Sequence, residues 1–169
     1  MIVMVTGGTG FIGLRVMRNL IELGQEVACF DLASARVNLQ PYLHAASFYR
    51  GDLTQISQLL KAVDTHGITR AIHLAALLPP DSEDRPHYGS SANIQGTNNV
   101  FETPCSNGVQ RLVYTRSIAC YGVQENQRLL TEEDHSNPVN VYVMTKVTND
   151  FTAAKYIGKY DVDPRGIWP

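Results

Sequence analysis

Short continuous apolar runs alternate along this chain with longer stretches in which apolar residues return every third or fourth position. The runs predict strands over 2–6, 26–30, 46–49, 70–74, 111–116 and 164–168. The 3.6-residue rhythm predicts helices over 11–23, 54–66, 91–107 and 140–160. Ile12, Val16, Leu20 and Leu23 share one face of the first helix, and Gly24 stands where its C-terminal cap belongs. Ile56, Leu59, Leu60 and Val63 form the stripe of the second, with Asp52 or Thr54 placed to cap it. The polar stretches 79–86 and 124–138 read as loops.

Strands that alternate with helices make a parallel sheet covered on both faces. Right-handed crossovers favour the doubly wound strand order 3-2-1-4-5-6. The expected class is α/β, a doubly wound parallel sheet in one domain over residues 1–169. A hydrophobic share of 44% and a charged share of 18% suit an ordinary globular core. The formal net charge of -2 argues against nucleic acid or an anionic membrane as the main partner. No apolar run approaches ~20 residues, so no segment is expected to span a membrane. The first strand starts at residue 2, which is expected to leave no room for a signal peptide. Cys29, Cys105 and Cys120 lack C-x-x-C spacing. They read as reduced thiols, each a small core filler, in a cytoplasmic protein.

The first strand runs directly into Gly7-Gly8-Thr9-Gly10-Phe11-Ile12-Gly13 and then into a helix. Gly7 permits a tight turn. Gly10 removes the Cβ that would block a pyrophosphate, and Gly13 lets the helix lie close to the strand. The helix then offers free N–H groups and its positive dipole end to phosphates. The ligand class implied is a dinucleotide. Asp31 ends the second strand, close to the ~20-residue separation from the glycines that dinucleotide folds show. A carboxylate there accepts hydrogen bonds from both adenosine ribose hydroxyls and repels a 2′-phosphate. That favours NAD over NADP, although Arg36 stands near enough to pair with a 2′-phosphate. Asp31 as a plain turn cap is the other reading.

Further segments follow in register: Gly51-Asp52-Leu53 after the third strand, His73-Leu74-Ala75-Ala76 at the end of the fourth, and Asn93-Ile94-Gln95-Gly96-Thr97 opening a helix. Arg116-Ser117-Ile118-Ala119-Cys120-Tyr121-Gly122 leaves the fifth strand, and Tyr142-Val143-Met144-Thr145-Lys146 forms Y-x-x-x-K. With these segments the chain resembles an extended short-chain dehydrogenase/reductase, the branch also called the NAD-dependent epimerase/dehydratase family, over essentially its whole length. The resemblance implies a Rossmann-type domain with NAD as cofactor. It implies cofactor contacts from Gly7, Gly10, Phe11, Ile12, Gly13, Asp31, Asp52, Leu53, Leu74, Ala75, Ala76, Tyr142 and Lys146. Asp52 would meet the adenine amino group, though an Asp just before a helix serves equally well as its N-cap. Leu74, Ala75 and Ala76 would line the groove with small surfaces, as a buried strand end also would. His73 reads as a structural histidine.

Ser117, Tyr142 and Lys146 are the expected catalytic residues. Tyr142 and Lys146 are four apart on a predicted helix, so they share a face. A phenol titrates near ~10. A neighbouring ammonium and the positive nicotinamide ring would lower that value, leaving the tyrosine able to act as acid or base near neutral pH. Lys146 would also hold the nicotinamide ribose. Ser117 would hydrogen-bond the alcohol or carbonyl oxygen where charge develops. Asn93 is carried over from the resemblance, as a group that orders the helix and a water near the lysine. The reaction implied is hydride transfer at a hydroxyl of a sugar or nucleotide sugar, by an epimerase or a dehydrogenase. Dehydratases of the family carry Asp-Glu after the serine position; Ile118-Ala119 stands there instead, which disfavours dehydration. Thr131-Glu132-Glu133-Asp134 reads as a solvated loop and helix-start feature.

The chain also departs from the family pattern. Arg116 replaces a small residue beside the serine, where it would crowd the cofactor or bind an anionic substrate. Pro104 removes a backbone donor and is expected to kink or end its helix early. The chain stops after a segment that resembles strand six, where relatives continue into a C-terminal substrate lobe, so a form without that lobe, whether truncated, degraded or naturally short, is expected. A dinucleotide-binding module without catalysis is the alternative to an enzyme. A homodimer through helices 91–107 and 140–160 is expected from the resemblance.

Overall fold

β1 (Ile2–Thr6) and β2 (Glu26–Asp31) are buried on both faces, as continuous apolar runs require of strands in mid-sheet. The computed structural model describes residues 2–32, 44–123, 129–131, 133–160 and 164–168. It adds β3 (Ala46–Arg50), β4 (Ile68–His73), β5 (Arg111–Thr115) and β6 (Pro164–Ile167). The strands pair in parallel in the order β3-β2-β1-β4-β5-β6, the doubly wound order that the alternation predicts. β4 starts at Ile68, two residues earlier than expected, because Gly67 closes the preceding helix at φ 58 and turns straight into the strand.

Alternate side chains serve opposite faces of the sheet. Val5, Val27 and Cys29 pack against Met17 of α1 (Phe11–Glu22). Met4, Ala28 and Phe30 pack against Leu59 and Val63 of α2 (Ile56–His66). α2 begins later than predicted, and Asp52 does not cap it. Its Oδ1 accepts the Thr54 N–H at 2.9 Å and shapes a turn ahead of the helix.

The stretch expected as a loop over 79–86 carries two short helices, α3 (Asp81–Asp84) and α4 (Pro86–Ser90). Pro86 sits in the first turn of α4, where its missing N–H costs nothing. A π-helical turn over Ser91–Gln95 then leads into α5 (Gly96–Asn107). α5 continues past position 104 and ends at Gly108, in the left-handed region. Pro104 therefore does not stop it. The carbonyl of Val100, which a proline at 104 cannot serve, accepts the Thr103 hydroxyl at 2.8 Å. β5 is followed by a 3-10 turn, Ile118–Tyr121, and the last helix is α6 (Val141–Tyr160). α5 packs beside α2 and α6 beside α5, and Phe101 and Ala153 join the same core.

Cys29 and Cys120 are buried as expected, whereas Cys105 is exposed on α5. Asp134 Oδ2 accepts the Thr131 N–H at 2.7 Å, so this acidic stretch closes its own turn well before α6. Arg36 and Glu132 lie outside the described residues. Among the described residues, no helix is long and apolar enough to cross a membrane.

Candidate active site

The sheet order reverses between β1 and β4, and a crevice opens at the carboxyl ends of the strands there. It is a groove of about 410 Å³. The eleven non-catalytic residues expected to touch a cofactor all face it: Gly7, Gly10, Phe11, Ile12 and Gly13 from the turn, Asp31 from β2, Asp52 and Leu53 after β3, and Leu74, Ala75 and Ala76 after β4. Tyr142 and Lys146 stand outside its wall.

The turn is built to be narrow. A Cβ on Gly13 would lie 2.1 Å from the Gly7 carbonyl oxygen. One on Gly7, at φ 71, would lie 2.7 Å from Ala75 Cα and N. Gly10 is looser, with its nearest neighbour at 3.3 Å. Gly10 occupies the N-cap of α1 without a side-chain bond, so the helix start keeps its donors for an anion. A pyrophosphate fits this cradle. Thr9, which sequence reasoning passed over, donates its N–H and its hydroxyl to Asp31 Oδ2, at 3.0 and 2.7 Å. The same carboxylate that faces the groove thereby anchors the turn.

At the other end of the site, Ser117 follows β5, and its Oγ accepts the Ala119 N–H at 3.3 Å. Its side chain lies near enough to the Tyr142 phenol to draw its titration downward. Lys146 Nζ lies 5.7 Å from the centre of the Tyr142 ring and donates to Thr115, at 2.9 Å to the carbonyl and 3.2 Å to the hydroxyl. The structure thus brings Ser117, Tyr142 and Lys146 together. The Lys146 ammonium, expected to lower the tyrosine together with a nicotinamide ring, does not do so by itself. Burial raises Tyr142 above the ordinary phenol value, and Ser117 offsets only part of that. Burial takes Lys146 down to about 8, with Asp150 opposing.

Asn93 is fully buried and clamps the chain after β4 onto α6. Its Oδ1 accepts the Leu77 N–H at 2.7 Å, and its Nδ2 donates to Leu77 O at 2.9 Å and Thr145 Oγ1 at 3.3 Å. It orders the helix as expected. Its carbonyl accepts Thr97 Oγ1 at 2.6 Å and Asn149 Nδ2 at 2.9 Å.

His73 sits in the same buried network. The Thr97 hydroxyl proton is committed to Asn93 O, so His73 Nε2 carries the hydrogen that Thr97 Oγ1 accepts at 2.9 Å. His73 Nδ1 then accepts from Thr6 Oγ1 at 2.6 Å. Burial lowers His73 to about 3, with Lys146 adding to the effect. The imidazole is a neutral structural link, as its place in the strand suggests.

Arg116 turns away from the groove. Its Nε pairs with Asp150 Oδ2 at 2.8 Å, and its guanidinium stacks 4.7 Å from the centre of the Trp168 ring. The side chain lies across Gly166, where a Cβ would meet Arg116 Cδ at 2.4 Å. It does not line the groove and so does not crowd a cofactor there. Among the described residues, no group of three or more His, Cys, Asp or Glu is placed to hold a metal ion.

The sequence profile of the NAD dependent epimerase/dehydratase family matches residues 3–168. The chain is 28% identical over 184 residues to a UDP-glucose 4-epimerase of Halalkalibacterium halodurans, covering 98% of this chain and 53% of that one. It is 34% identical over 180 residues to a 3-beta-hydroxysteroid dehydrogenase of Mycolicibacterium neoaurum, covering 98% and 47%. The crystal structure of Thermus thermophilus UDP-glucose 4-epimerase in complex with NAD superimposes with a TM-score of 0.92 at 27% identity, covering 99% of this chain and 54% of that one. The chain spans about half the length of the relatives it matches.

Proposed function

We propose that this chain, which belongs to the NAD dependent epimerase/dehydratase family, binds NAD in the groove and supports hydride transfer at a hydroxyl-bearing carbon of a sugar or nucleotide sugar. The observation that carries the reading is the meeting of Ser117, Tyr142 and Lys146 beyond a groove walled by Gly7, Gly10 and Gly13. Bound NAD supplies a hydride acceptor. Tyr142, as the phenolate that the Lys146 ammonium and the positive nicotinamide ring together would favour, takes the proton of the substrate hydroxyl at its phenol oxygen. Ser117, close to that phenol, holds the substrate oxygen as charge develops on it. Lys146, at about 8, is poised to carry a proton near neutral pH and to exchange its Thr115 partners for the nicotinamide ribose. Ile118 and Ala119 offer no acid for elimination, so epimerisation or dehydrogenation is favoured over dehydration. UDP-glucose is the ligand of the Thermotoga maritima epimerase structure, 25% identical with a TM-score of 0.90, and a UDP-hexose is the first substrate class to test. The reading includes a reduced, cytoplasmic setting and a homodimer through α5 and α6, where Met144 and Phe151 are exposed.

A fluorescence titration with NADH and NADPH, followed by turnover assays with UDP-hexoses, tests the proposal. Ser117→Ala and Tyr142→Phe are each expected to lower turnover by about 10²- to 10⁴-fold while NADH affinity stays within a factor of about two. Saturable NADH binding that both variants share, with no turnover of any sugar nucleotide by the parent chain, would favour a binding module. Asp31→Ala removes the ribose acceptor and the Thr9 anchor together. It is expected to weaken NADH binding by about tenfold or more and to close most of the gap to NADPH. An unchanged preference for NADH would remove Asp31 as the selector.

A further inference from the structure

The first turn of α6 is satisfied from two places. Asn140 Oδ1 accepts the Val143 N–H at 2.8 Å, as a residue just before a helix commonly does. The N–H groups of Val141 and Tyr142 donate instead to Glu83, at 3.0 Å to Oε2 and 3.1 Å to Oε1. Glu83 belongs to α3, 58 and 59 residues upstream of the two donors. Its carboxylate is held in turn. Ser82, fully buried, donates its hydroxyl to Oε1 at 3.0 Å. Gly89 packs on Ser82 so closely that a Cβ there would lie 3.0 Å from Ser82 Cα.

We infer that Glu83 is a positioning residue, which fixes the backbone of Tyr142 so that its phenol stays close to Ser117. The inference rests on the reading of Tyr142 as the proton-transfer group. A carboxylate that takes two N–H groups at once is a stiffer cap than one side-chain oxygen. Its charge also suits the positive end of the helix. The N–H donors, that of Val141 above all, hold the carboxyl below its ordinary range, so the accepting form persists. The segment that carries Glu83 also brings Leu78 and Tyr88 into the wall of the groove. One short stretch of chain therefore supports both the groove and the tyrosine.

Amide exchange by NMR on the full 169-residue chain reads the cap directly. Glu83→Ala is expected to speed exchange at Val141 and Tyr142 about five- to tenfold while amides in β1 and β4 keep their protection. Glu83→Gln, which keeps one accepting oxygen, should give a smaller rise. Positioning is read by titrating the Tyr142 phenol, isolated by subtracting the Tyr142→Phe spectrum. Ser117→Ala is expected to raise that midpoint in the parent chain, and by less than half as much in the Glu83→Ala background. Equal shifts in both backgrounds, or unchanged exchange at 141 and 142, overturn the inference. Should Glu83→Ala fail to fold, the same cycle in Glu83→Gln decides. Neither readout needs cofactor or turnover. A chain that binds no NADH would sink the functional reading while these data still judge Glu83.

Discussion

Gly13→Ala is expected to abolish NADH binding and to destabilise the chain by about 3 kcal/mol or more, whereas Gly10→Ala folds normally and loses only affinity. The contrast comes from what each new methyl group would meet. At Gly13 it would fall 2.1 Å from the Gly7 carbonyl oxygen and 2.7 Å from Gly8 Cα. Both are backbone, and the turn cannot yield without parting α1 from β1. Gly7 is itself pinned, since its own Cβ position lies 2.7 Å from Ala75. At Gly10 the nearest atom is 3.3 Å away, a contact that a small shift relieves. The added methyl would instead stand where a pyrophosphate approaches the N-terminus of α1. Urea denaturation and NADH titration on both variants check the pair. Wild-type affinity in Gly13→Ala would show that the turn does not hold the cofactor.

The chain is expected to lose stability as pH falls below about 6.5, by up to about 1.4 kcal/mol per pH unit from one residue, His73. His73 titrates at about 3 in the folded chain, against 6.5 for a free imidazole. The unfolded chain therefore binds the extra proton between those values. Stability from this group is complete above 6.5 and drains away as pH falls toward 3. Lys146 and Glu83, which are also shifted, act outside the upper part of this window. Lys146, at about 8 against 10.5, gains stability with rising pH on the alkaline side. Glu83 loses its contribution only in acid, below the ordinary carboxylate range. Urea midpoints between pH 6.5 and 5, compared with those of a variant, read the histidine. His73→Gln should flatten the slope by about one proton, and an identical slope would mean that His73 is not held neutral.

Features set by neighbours along the chain were legible in the sequence, and those set by distant partners were not. The spacing of Gly7, Gly10 and Gly13 specifies a narrow turn wherever it occurs, so the turn's share of the groove wall could be named, while Thr9, Leu78 and Tyr88 in the same wall were not. The strand order followed because alternating strands and helices leave few chiral solutions. Arg116 shows the other case. Its partner Asp150 is 34 residues away, and nothing local distinguishes an arginine that will pair from one that will meet a ligand. Glu83 was invisible for the same reason, since its role exists only once α3 lies against α6. Pro104 was misjudged because a proline's effect depends on whether another group, here Thr103, takes over the stranded carbonyl. The Tyr142 shift was missed because spacing reveals a neighbouring lysine but not the depth of burial.

Cys29 lies directly beneath the glycine turn, where a Cβ on Gly8 would come within 2.6 Å of its sulfur. Burial, with help from the charge of Asp31, pushes the thiol up to about 12. At neutral pH it is a protonated, poor nucleophile, while Cys105 faces solvent. Oxidants and alkylating reagents therefore meet Cys105 first, and the sulfur under the turn serves as an inert spacer. A covalent mark on Cys29 would record that the turn itself had opened.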